Sequence, residues 1–222
     1  MKRAVILLSG GLDSAVTMYV ARDKGYKCYV LMFDYGQRHK RELAFARRLA
    51  RKCGAQLKLV VLDLPWKGSS LVDKKISLPS SRSAKKIRAA GIPSTYVPAR
   101  NTIFLSIAAS YAETIGASAI FIGAHVEDSS GYPDCRKNYL KAFDRVLKIG
   151  TKRGLENRLS LQFPLVGKSK ADIIKLARSL GVPLQYTWSC YEGLSHPCGK
   201  CDSCVLRAKG FKEAGMTDPL YA

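Results

Sequence analysis

The sequence predicts an α/β fold in which a Rossmann-like parallel sheet carries helices on both faces, with a small cysteine-rich unit at its C-terminal end. Short apolar runs, which suit strands buried on both faces, alternate along the chain with amphipathic helical patterns. A glycine-rich turn follows the first apolar run, and four cysteines stand close together at residues 190–204. We therefore expect an α/β domain at residues 1–184 and a metal-binding segment at residues 185–222.

The individual elements follow from the same patterns. The first strand is a continuous run of five aliphatic side chains, and the helix after it ends before Gly25. A basic amphipathic pattern follows the second strand and ends at Gly54, which indicates the second helix. Strands are predicted at residues 4–8, 28–33, 57–62, 119–123 and 161–163, and helices at residues 13–24, 39–53, 102–115, 139–149, 170–180 and 205–214.

Residues 65–94 show neither a helical nor a strand period. The segment contains five lysines together with glycines, prolines and serines that favour turns. A loop of this length inside a compact domain usually has a functional role. We expect it to be either a functional lid over the binding site or a mobile segment.

Composition and charge narrow the class of protein. The chain has 222 residues, of which 47% are hydrophobic, too many for a disordered protein. Its 37 basic and 17 acidic residues give a formal charge of +20. This charge suits the binding of RNA or of a nucleotide, and it does not distinguish between the two. No apolar run is long enough for a membrane helix, and the N-terminal run is interrupted too early for a signal peptide. We expect a cytoplasmic protein with no membrane partner.

The glycine-rich turn at residues 9–14 reads Ser-Gly-Gly-Leu-Asp-Ser. Glycines at a strand-to-helix turn allow backbone N–H groups to surround an anion, and the helix that follows directs its positive end to the same point. Ser9 and Ser14 add hydroxyl donors, while Asp13 either holds a magnesium ion or caps the helix. An ordinary capped turn is the plainer interpretation. The turn matches neither a Walker loop nor a Gly-x-Gly-x-x-Gly motif, and it resembles the PP-loop of ATP pyrophosphatases.

Further polar strings lie at the ends of predicted strands, where open α/β sheets bind ligands. They read Phe-Asp-Tyr-Gly-Gln-Arg-His at residues 33–39, Tyr-Val-Pro-Ala-Arg-Asn at 96–101 and Gly-Ala-His-Val-Glu-Asp-Ser-Ser-Gly-Tyr-Pro-Asp-Cys-Arg at 123–136. Together with Thr-Trp-Ser-Cys-Tyr at 187–191 and the cysteine string at 197–207, they are similar, motif by motif, to the 7-cyano-7-deazaguanine synthase family. The resemblance extends from Lys2 to about Ala214. The chain departs from the family pattern at Phe163 and Lys137.

This resemblance implies an adenine nucleotide alpha hydrolase-like fold and an ATP-dependent ligase that uses Mg²⁺. Such a ligase converts 7-carboxy-7-deazaguanine and ammonia to 7-cyano-7-deazaguanine through an adenylated carboxylate and an amide. It releases AMP and pyrophosphate, and its product feeds the queuosine and archaeosine modifications of tRNA. We also expect a homodimer and no stable nucleic-acid partner.

The resemblance also implies roles for individual residues. The ATP-binding residues would be Leu8, Ser9, Gly10, Gly11, Leu12, Asp13, Ser14, Ala15, Val16, Thr17 and Phe33. The substrate-binding residues would be Arg100, Asn101, Tyr132, Asp134 and Arg136, and the catalytic residues Asp13, Ser14, Arg100 and Asp134.

The four close cysteines are Cys190, Cys198, Cys201 and Cys204. Two close pairs of thiolates can form a closed tetrahedral shell, which predicts one structural zinc ion per chain. An iron–sulfur cluster also takes four thiolates, and reduced core cysteines are the plainest alternative. His196 lies within the same stretch and competes as a ligand. Because the chain has seven cysteines, an odd number, a disulfide framework is not expected.

Four single residues carry weaker expectations. Cys135 is either a covalent nucleophile or a packing residue under the substrate loop. His39 and His125 have no serine or cysteine at the spacing of a triad, which argues against a hydrolase. Lys168 either neutralises phosphate or is a solvated lysine at a helix end.

Two other functions remain open from the sequence. A PP-loop ATPase that adenylates a tRNA base directly would suit the positive charge, although no residues are left for an added RNA-binding domain. A non-catalytic, basic, zinc-bearing RNA-binding module would show no turnover and a steep salt dependence of RNA affinity.

Overall fold

The structure is a computed structural model that describes residues 1–125 and 131–221. Its centre is a five-stranded parallel sheet with the strand order β3-β2-β1-β4-β5. The strands are β1 (Arg3–Leu7), β2 (Lys27–Asp34), β3 (Gln56–Val61), β4 (Ala119–Phe121) and β5 (Ser160–Gln162). The predicted α/β class and parallel sheet are confirmed.

Helices connect the strands. They are α1 (Leu12–Asp23), α2 (Arg41–Cys53), α3 (Ala84–Ala89), α4 (Arg100–Thr114), α5 (Lys137–Gly150), α6 (Lys152–Leu155), α7 (Lys170–Ser179) and α8 (Asp202–Ala214). Short 3₁₀ helices lie at Pro133–Cys135 and Leu184–Tyr186. Among the described residues, no helix combines the length and the apolar character that a membrane crossing requires.

Most predicted bounds agree with the structure to within two residues, and the larger differences have local causes. Helix α8 begins at Asp202, three residues before its prediction, because the extended backbone of Cys201 serves as its N-cap. Strand β4 ends at Phe121, since pairing with β5 stops there. The short helices α3 and α6 were not predicted; Ser83 and Thr151 cap them with side-chain hydrogen bonds.

Two apolar clusters cover the two faces of the sheet. On one face, β1 packs through Ile6 with α1, α2, α7 and α8; on the other, it packs through Val5 with α4 and α5. The aliphatic residues of β1 are buried on both sides, as the continuous apolar run predicted. Burial on both faces therefore confirms helices on both sides of the sheet.

The chain reverses its direction across the sheet between β1 and β4. Strands β2 and β3 lie to one side of β1, whereas β4 and β5 lie to the other. Loops leaving the carboxyl ends of β1 and β4 therefore diverge, which opens a crevice at this edge of the sheet. The predicted polar strings converge on this crevice.

Residues 65–94 pack against the rest of the chain at several points. The Arg38 guanidinium donates to the carbonyl groups of Asp73 and Ile76 at 2.7 and 2.9 Å. Ser70 N donates to Ser94 O at 2.8 Å, which closes the segment on itself. Whether it opens and closes as a lid stays a prediction.

Candidate active site and metal centre

A cavity of about 290 Å³ lies at the carboxyl ends of β1, β2 and β4. Its walls come from the turn at residues 9–14, the end of β2, the segment 65–94, the start of α4, residues 122–125, 131–132 and 135, Lys170 of α7 and the cysteine-rich segment. The polar strings that the sequence analysis singled out therefore meet in one place. Residues 126–130 of the string at 123–136 lie outside the described residues.

The turn between β1 and α1 is a tight cradle. Gly10 has a φ of +89°, and a Cβ there would lie 2.3 Å from the carbonyl oxygen of Glu42, so only glycine fits. Ser14 Oγ accepts from Ser9 N at 3.2 Å and donates to Gly11 O at 3.0 Å. The two serine hydroxyls thus hold the shape of the turn.

No side chain caps the start of α1. Gly11 is the N-cap residue and makes no side-chain hydrogen bond there. The interpretation of Asp13 as a helix cap was therefore wrong, because its carboxylate is engaged elsewhere. Among the described residues, no side chain at the cap accepts from the first N–H groups of α1. These groups lie at the positive end of the helix dipole, which suits the binding of an anion.

Asp13, whose side chain is partly exposed, forms a charged cluster with the buried residues Lys170 and His125. Lys170 Nζ lies 2.8 and 2.9 Å from the two Asp13 carboxylate oxygens and 2.9 Å from His125 Nε2. Burial acts to raise the pKa of Asp13, but the attraction of Lys170 and His125 is stronger and holds that pKa well below its ordinary value. The carboxylate is therefore ionised throughout the physiological range.

Lys170 is a site residue that sequence reasoning missed. It comes from the first turn of α7, 157 residues after Asp13 along the chain. Gly210 of α8 gives it room, because a Cβ at that position would lie 2.3 Å from Lys170 Cγ. The sequence analysis singled out Lys168 instead, which is half-buried and does not line the cavity.

The residues expected to bind ATP fall into two groups. Those on the cavity wall are Leu8, Ser9, Gly11, Leu12, Asp13, Ser14 and Phe33. Those that do not line it are Gly10, Ala15, Val16 and Thr17. Gly10 shapes the cradle, and the other three lie on the buried side of α1.

The residues expected to bind the substrate also divide. Arg100, Asn101 and Tyr132 line the cavity. Arg100 Nη1 donates to the Tyr35 hydroxyl at 3.2 Å, while its buried Nε has no hydrogen-bond partner among the described residues. A buried guanidinium N–H without an acceptor is unfavourable unless a ligand supplies one.

Asp134 and Arg136 lie away from the cavity wall. The buried Asp134 carboxylate accepts from Asn101 N at 3.0 Å and so caps α4, whose own N-cap residue Ala99 has a φ of +53°. Arg136 is exposed. Cys135 does line the cavity, and the Asn101 amide donates to its sulfur at 3.1 Å.

The four predicted cysteines come together in a group that can hold a metal ion. The sulfur atoms of Cys190, Cys198, Cys201 and Cys204 all lie within 4.8 Å of one another. A tetrahedral zinc site with Zn–S bonds of about 2.3 Å has sulfur atoms roughly 3.8 Å apart, so the group is close to that size. Backbone N–H groups donate to the Cys190 and Cys198 sulfurs at 3.3 Å, as suits thiolates. His196 is exposed and does not belong to the group.

The cysteine group borders the active-site cavity. Ser80 in the long segment forms an antiparallel bridge with Cys201, and the Arg82 guanidinium pairs with the Asp202 carboxylate. Asp202 and Arg207 line the cavity. Arg207, which is 2% exposed, is held by Asp218 at 2.6 Å. The cysteine group thus supports one wall of the cavity.

Comparison with known proteins agrees with this geometry. The chain is 50% identical to a 7-cyano-7-deazaguanine synthase from Trichodesmium erythraeum, over 98% of this chain and 99% of the relative. It is 52% identical to one from Thermoplasma acidophilum, over 99% and 91% of the two chains, and 51% identical to one from Pseudomonas syringae pv. tomato, over 98% and 96%.

Among solved structures, an NMN synthetase from Francisella tularensis has a similar fold. It aligns with a TM-score of 0.51 and 16% identity over 97% of this chain and 73% of that one. The model of the family described as queuosine biosynthesis protein QueC matches residues 3–215. With a match over nearly its whole length and relatives at half identity throughout, the chain belongs to the QueC family.

Proposed function

We propose that the protein is an ATP-dependent ligase that converts 7-carboxy-7-deazaguanine and ammonia to 7-cyano-7-deazaguanine. The observation that carries the proposal is that one cavity joins the glycine-rich cradle to Arg100, Asn101 and Tyr132. A nucleotide phosphate and a small carboxylic acid can therefore meet there. The names of relatives that are similar along the whole chain support the same reaction.

The cradle and its charged cluster would bind the pyrophosphate part of ATP. The first N–H groups of α1 and the Lys170 ammonium supply positive charge where the leaving pyrophosphate gains negative charge. Asp13 is the cavity carboxylate on the cradle itself, and its hard oxygen atoms suit Mg²⁺. When bound, Mg²⁺ would neutralise charge on the phosphates.

Arg100 would hold the reacting carboxylate next to the α-phosphate. Its Nε–H has no acceptor within the described part of the chain, so a substrate oxygen can satisfy it. Attack of that oxygen on the α-phosphorus forms the acyl adenylate and releases pyrophosphate. Tyr132, whose hydroxyl pairs with Thr95 at 2.7 Å, offers a ring for the deazapurine to stack on.

We assign Asp134 a supporting role in this proposal. Its carboxylate fixes the N-terminus of α4 and therefore the position of Arg100 and Asn101. Arg136, two residues after Asp134, has an exposed side chain. A direct contact between Asp134 and the substrate ring would need a movement of this loop.

We propose that the cysteine group holds one structural zinc ion per chain. Four thiolates leave no open position for a catalytic water, and the surrounding contacts brace the cavity wall. On this basis residues 1–184 form the ATP-binding domain and residues 185–222 the zinc-binding segment.

We further propose a cytoplasmic homodimer. None of the seven cysteines, all of which the structure describes, forms a disulfide, which fits a reducing compartment. Val146, Ile149 and Leu155 expose apolar side chains on α5 and α6, and a second copy of the chain would cover them.

The direct test is incubation with ATP, Mg²⁺, ammonium and 7-carboxy-7-deazaguanine, followed by mass spectrometry. We expect 7-cyano-7-deazaguanine and AMP, with Asp13→Ala inactive but still folded and metal-bound. Formation of ADP in place of AMP would contradict the assignment of the cradle. Adenylation of tRNA without conversion of the acid would favour the tRNA-base ATPase instead.

A further inference from the structure

A second network of buried polar side chains lies at the carboxyl end of β2. His39 is 4% exposed, and its Nε2 lies 3.2 Å from Glu42 Oε2. The other Glu42 oxygen accepts from Gln37 Nε2 at 3.2 Å. Gln37 is itself fixed, because it accepts from Tyr35 N at 2.8 Å and donates to Phe33 O at 3.0 Å.

This network sets the proton arrangement of the histidine. Since the Glu42 carboxylate can only accept, it selects the tautomer that carries hydrogen on Nε2. His39 Nδ1 then presents a lone pair. That atom is buried and has no hydrogen-bond partner among the described residues, which is unfavourable in an empty protein.

The position of the network links it to the reaction. Both His39 and Glu42 line the cavity, and the Glu42 carbonyl packs directly against Gly10 of the cradle. The centroid of the Tyr191 ring lies 5.6 Å from that of the His39 imidazole, and Gly193 packs against the backbone of His39. The oriented imidazole of His39 therefore belongs to a residue on the wall of the cavity in which ATP and the acid would meet.

The proposed reaction needs a proton acceptor that the groups assigned above do not supply. Asp13 is held by Lys170 and its pKa is lowered, which makes it a poor base. Asp202 is paired with Arg82, Arg100 is a cation, and His125 Nε2 lies 2.9 Å from the Lys170 ammonium. Yet ammonium must lose a proton before its nitrogen can attack.

We propose that His39, oriented by Glu42, is the general base of the amidation and nitrile-forming steps. This rests on the proposed function. Nδ1 takes a proton from ammonium, and the freed ammonia attacks the carbonyl carbon of the acyl adenylate. The C–N bond forms while the C–O bond to AMP breaks, and AMP leaves with the electron pair. The new amide nitrogen then loses its second proton to the departing phosphate of AMP.

The second activation ends in the same kind of proton transfer. When ATP adenylates the amide oxygen, pyrophosphate leaves and the nitrogen loses one of its two protons to solvent. The carbon then carries an O-AMP group and a doubly bonded N–H. His39 Nδ1 removes that proton, the N–H electron pair becomes the third C–N bond, and AMP departs. In each step the proton gained by His39 returns to solvent before the next turnover.

The test separates adenylation from the steps that follow it, using His39→Gln and Glu42→Gln. Acid-dependent exchange of labelled pyrophosphate into ATP measures adenylation alone, and we expect it to stay within about threefold of the original protein in both variants. Amide formation from ammonium should fall by about 10²–10⁴-fold in His39→Gln, the usual contribution of a general base, and less in Glu42→Gln. Nitrile formation from the supplied amide should fall in parallel.

Hydroxylamine provides the diagnostic rescue. It is largely unprotonated at neutral pH, so its attack does not need the base, and hydroxamate formation in His39→Gln should approach the rate of the original protein. Lys40→Ala, which alters an adjacent and exposed side chain, is the matched control and should leave all these rates unchanged.

Three outcomes would overturn the proposal. Equal losses of pyrophosphate exchange and amide formation would make His39 a phosphate ligand. Unchanged amide formation in a folded His39→Gln would make it a packing residue, and a failure of hydroxylamine to restore the rate would exclude the base role. If the original protein itself showed no acid-dependent exchange, the proposed function would fail instead.

Discussion

The sheet and the C-terminal segment at residues 185–221 are stabilised in different ways. The interior of the sheet is aliphatic, and residues such as Ile6 and Ile120 are completely buried among others of the same kind. The C-terminal segment instead depends on four sulfur atoms and on the buried pair of Arg207 and Asp218. Apolar burial has many interchangeable partners, whereas the Arg207 guanidinium depends on a few specific acceptors, Asp218, Thr187 and Ser189.

This difference predicts unequal sensitivity to small changes. Ile6→Val in the sheet should lower the free energy of unfolding by about 0.5–1.5 kcal/mol, because the loss is one methylene. A change of similar size at a polar residue of the C-terminal segment leaves a buried charge without its partner, or leaves the cysteine group with three sulfur ligands instead of four. The four predictions below run from the largest effect to the smallest.

Cys201→Ser should have the largest effect on stability. It removes a metal ligand, and since metal binding is coupled to folding we expect a loss on the order of 5 kcal/mol, or a fall in Tm of about 10–20 °C. Metal content and thermal unfolding should be measured together. Cys53→Ser, which alters a thiol outside the group, is the control. Full metal content at unchanged affinity would contradict the metal centre.

Asp218→Asn should lower the free energy of unfolding by about 3–5 kcal/mol, because it leaves the Arg207 guanidinium buried without its counter-charge. Chemical denaturation measures the loss. The double variant Arg207→Met, Asp218→Leu should recover most of it, since the uncompensated charge is gone. If the double variant were as unstable as the single one, packing rather than charge would explain the effect.

Asp13→Asn should lower stability at neutral pH by about 1–3 kcal/mol, because Lys170 loses its buried partner. The pKa of Asp13 is lowered in the folded protein, so its contribution is complete above the unfolded value of about 3.9 and declines as the pH falls towards the folded value. The difference between variant and original protein should therefore be constant from pH 7 to 5 and shrink below about pH 4. A constant difference down to pH 3 would contradict this account.

Arg82→Ala should have the smallest effect on global stability, about 1 kcal/mol or 2–4 °C in Tm, because the pair with Asp202 is partly exposed. Its local effect should be larger. Residues 80–93 should become more sensitive to limited proteolysis while the metal content stays the same. Lys85→Ala on the exposed side of α3 should leave the proteolysis pattern unchanged, and equal sensitivity in both variants would argue against the tie to Asp202.

The comparison also shows what sequence alone can predict. The strands could be placed because each one carries its own apolar run, and the cysteines because their spacing is short. The cradle could be recognised because its glycines and serines are contiguous. In each case the signal lies within a few residues.

The missed residues depend on contacts across the fold. Lys170 meets Asp13 only because α7 packs beside α1, and the glycine that makes room for it stands in α8. Asp134 caps α4 through the backbone N–H of Asn101, 33 residues before it in the chain, so no local motif shows this role. The sequence did contain one signal for Lys170. A lysine in the first turn of a helix, on the apolar face of that helix, is unusual unless it is paired.

The central claim is that ATP and the acid react directly in one cavity, and isotope transfer tests it. The acid would be supplied with oxygen-18 in its carboxylate, and AMP and inorganic phosphate would be examined by mass spectrometry. The account predicts oxygen-18 in the phosphate of AMP, because the carboxylate oxygen leaves bonded to the α-phosphorus. Oxygen-18 in inorganic phosphate, with AMP unlabelled, would show attack at the γ-phosphorus and contradict the assignment.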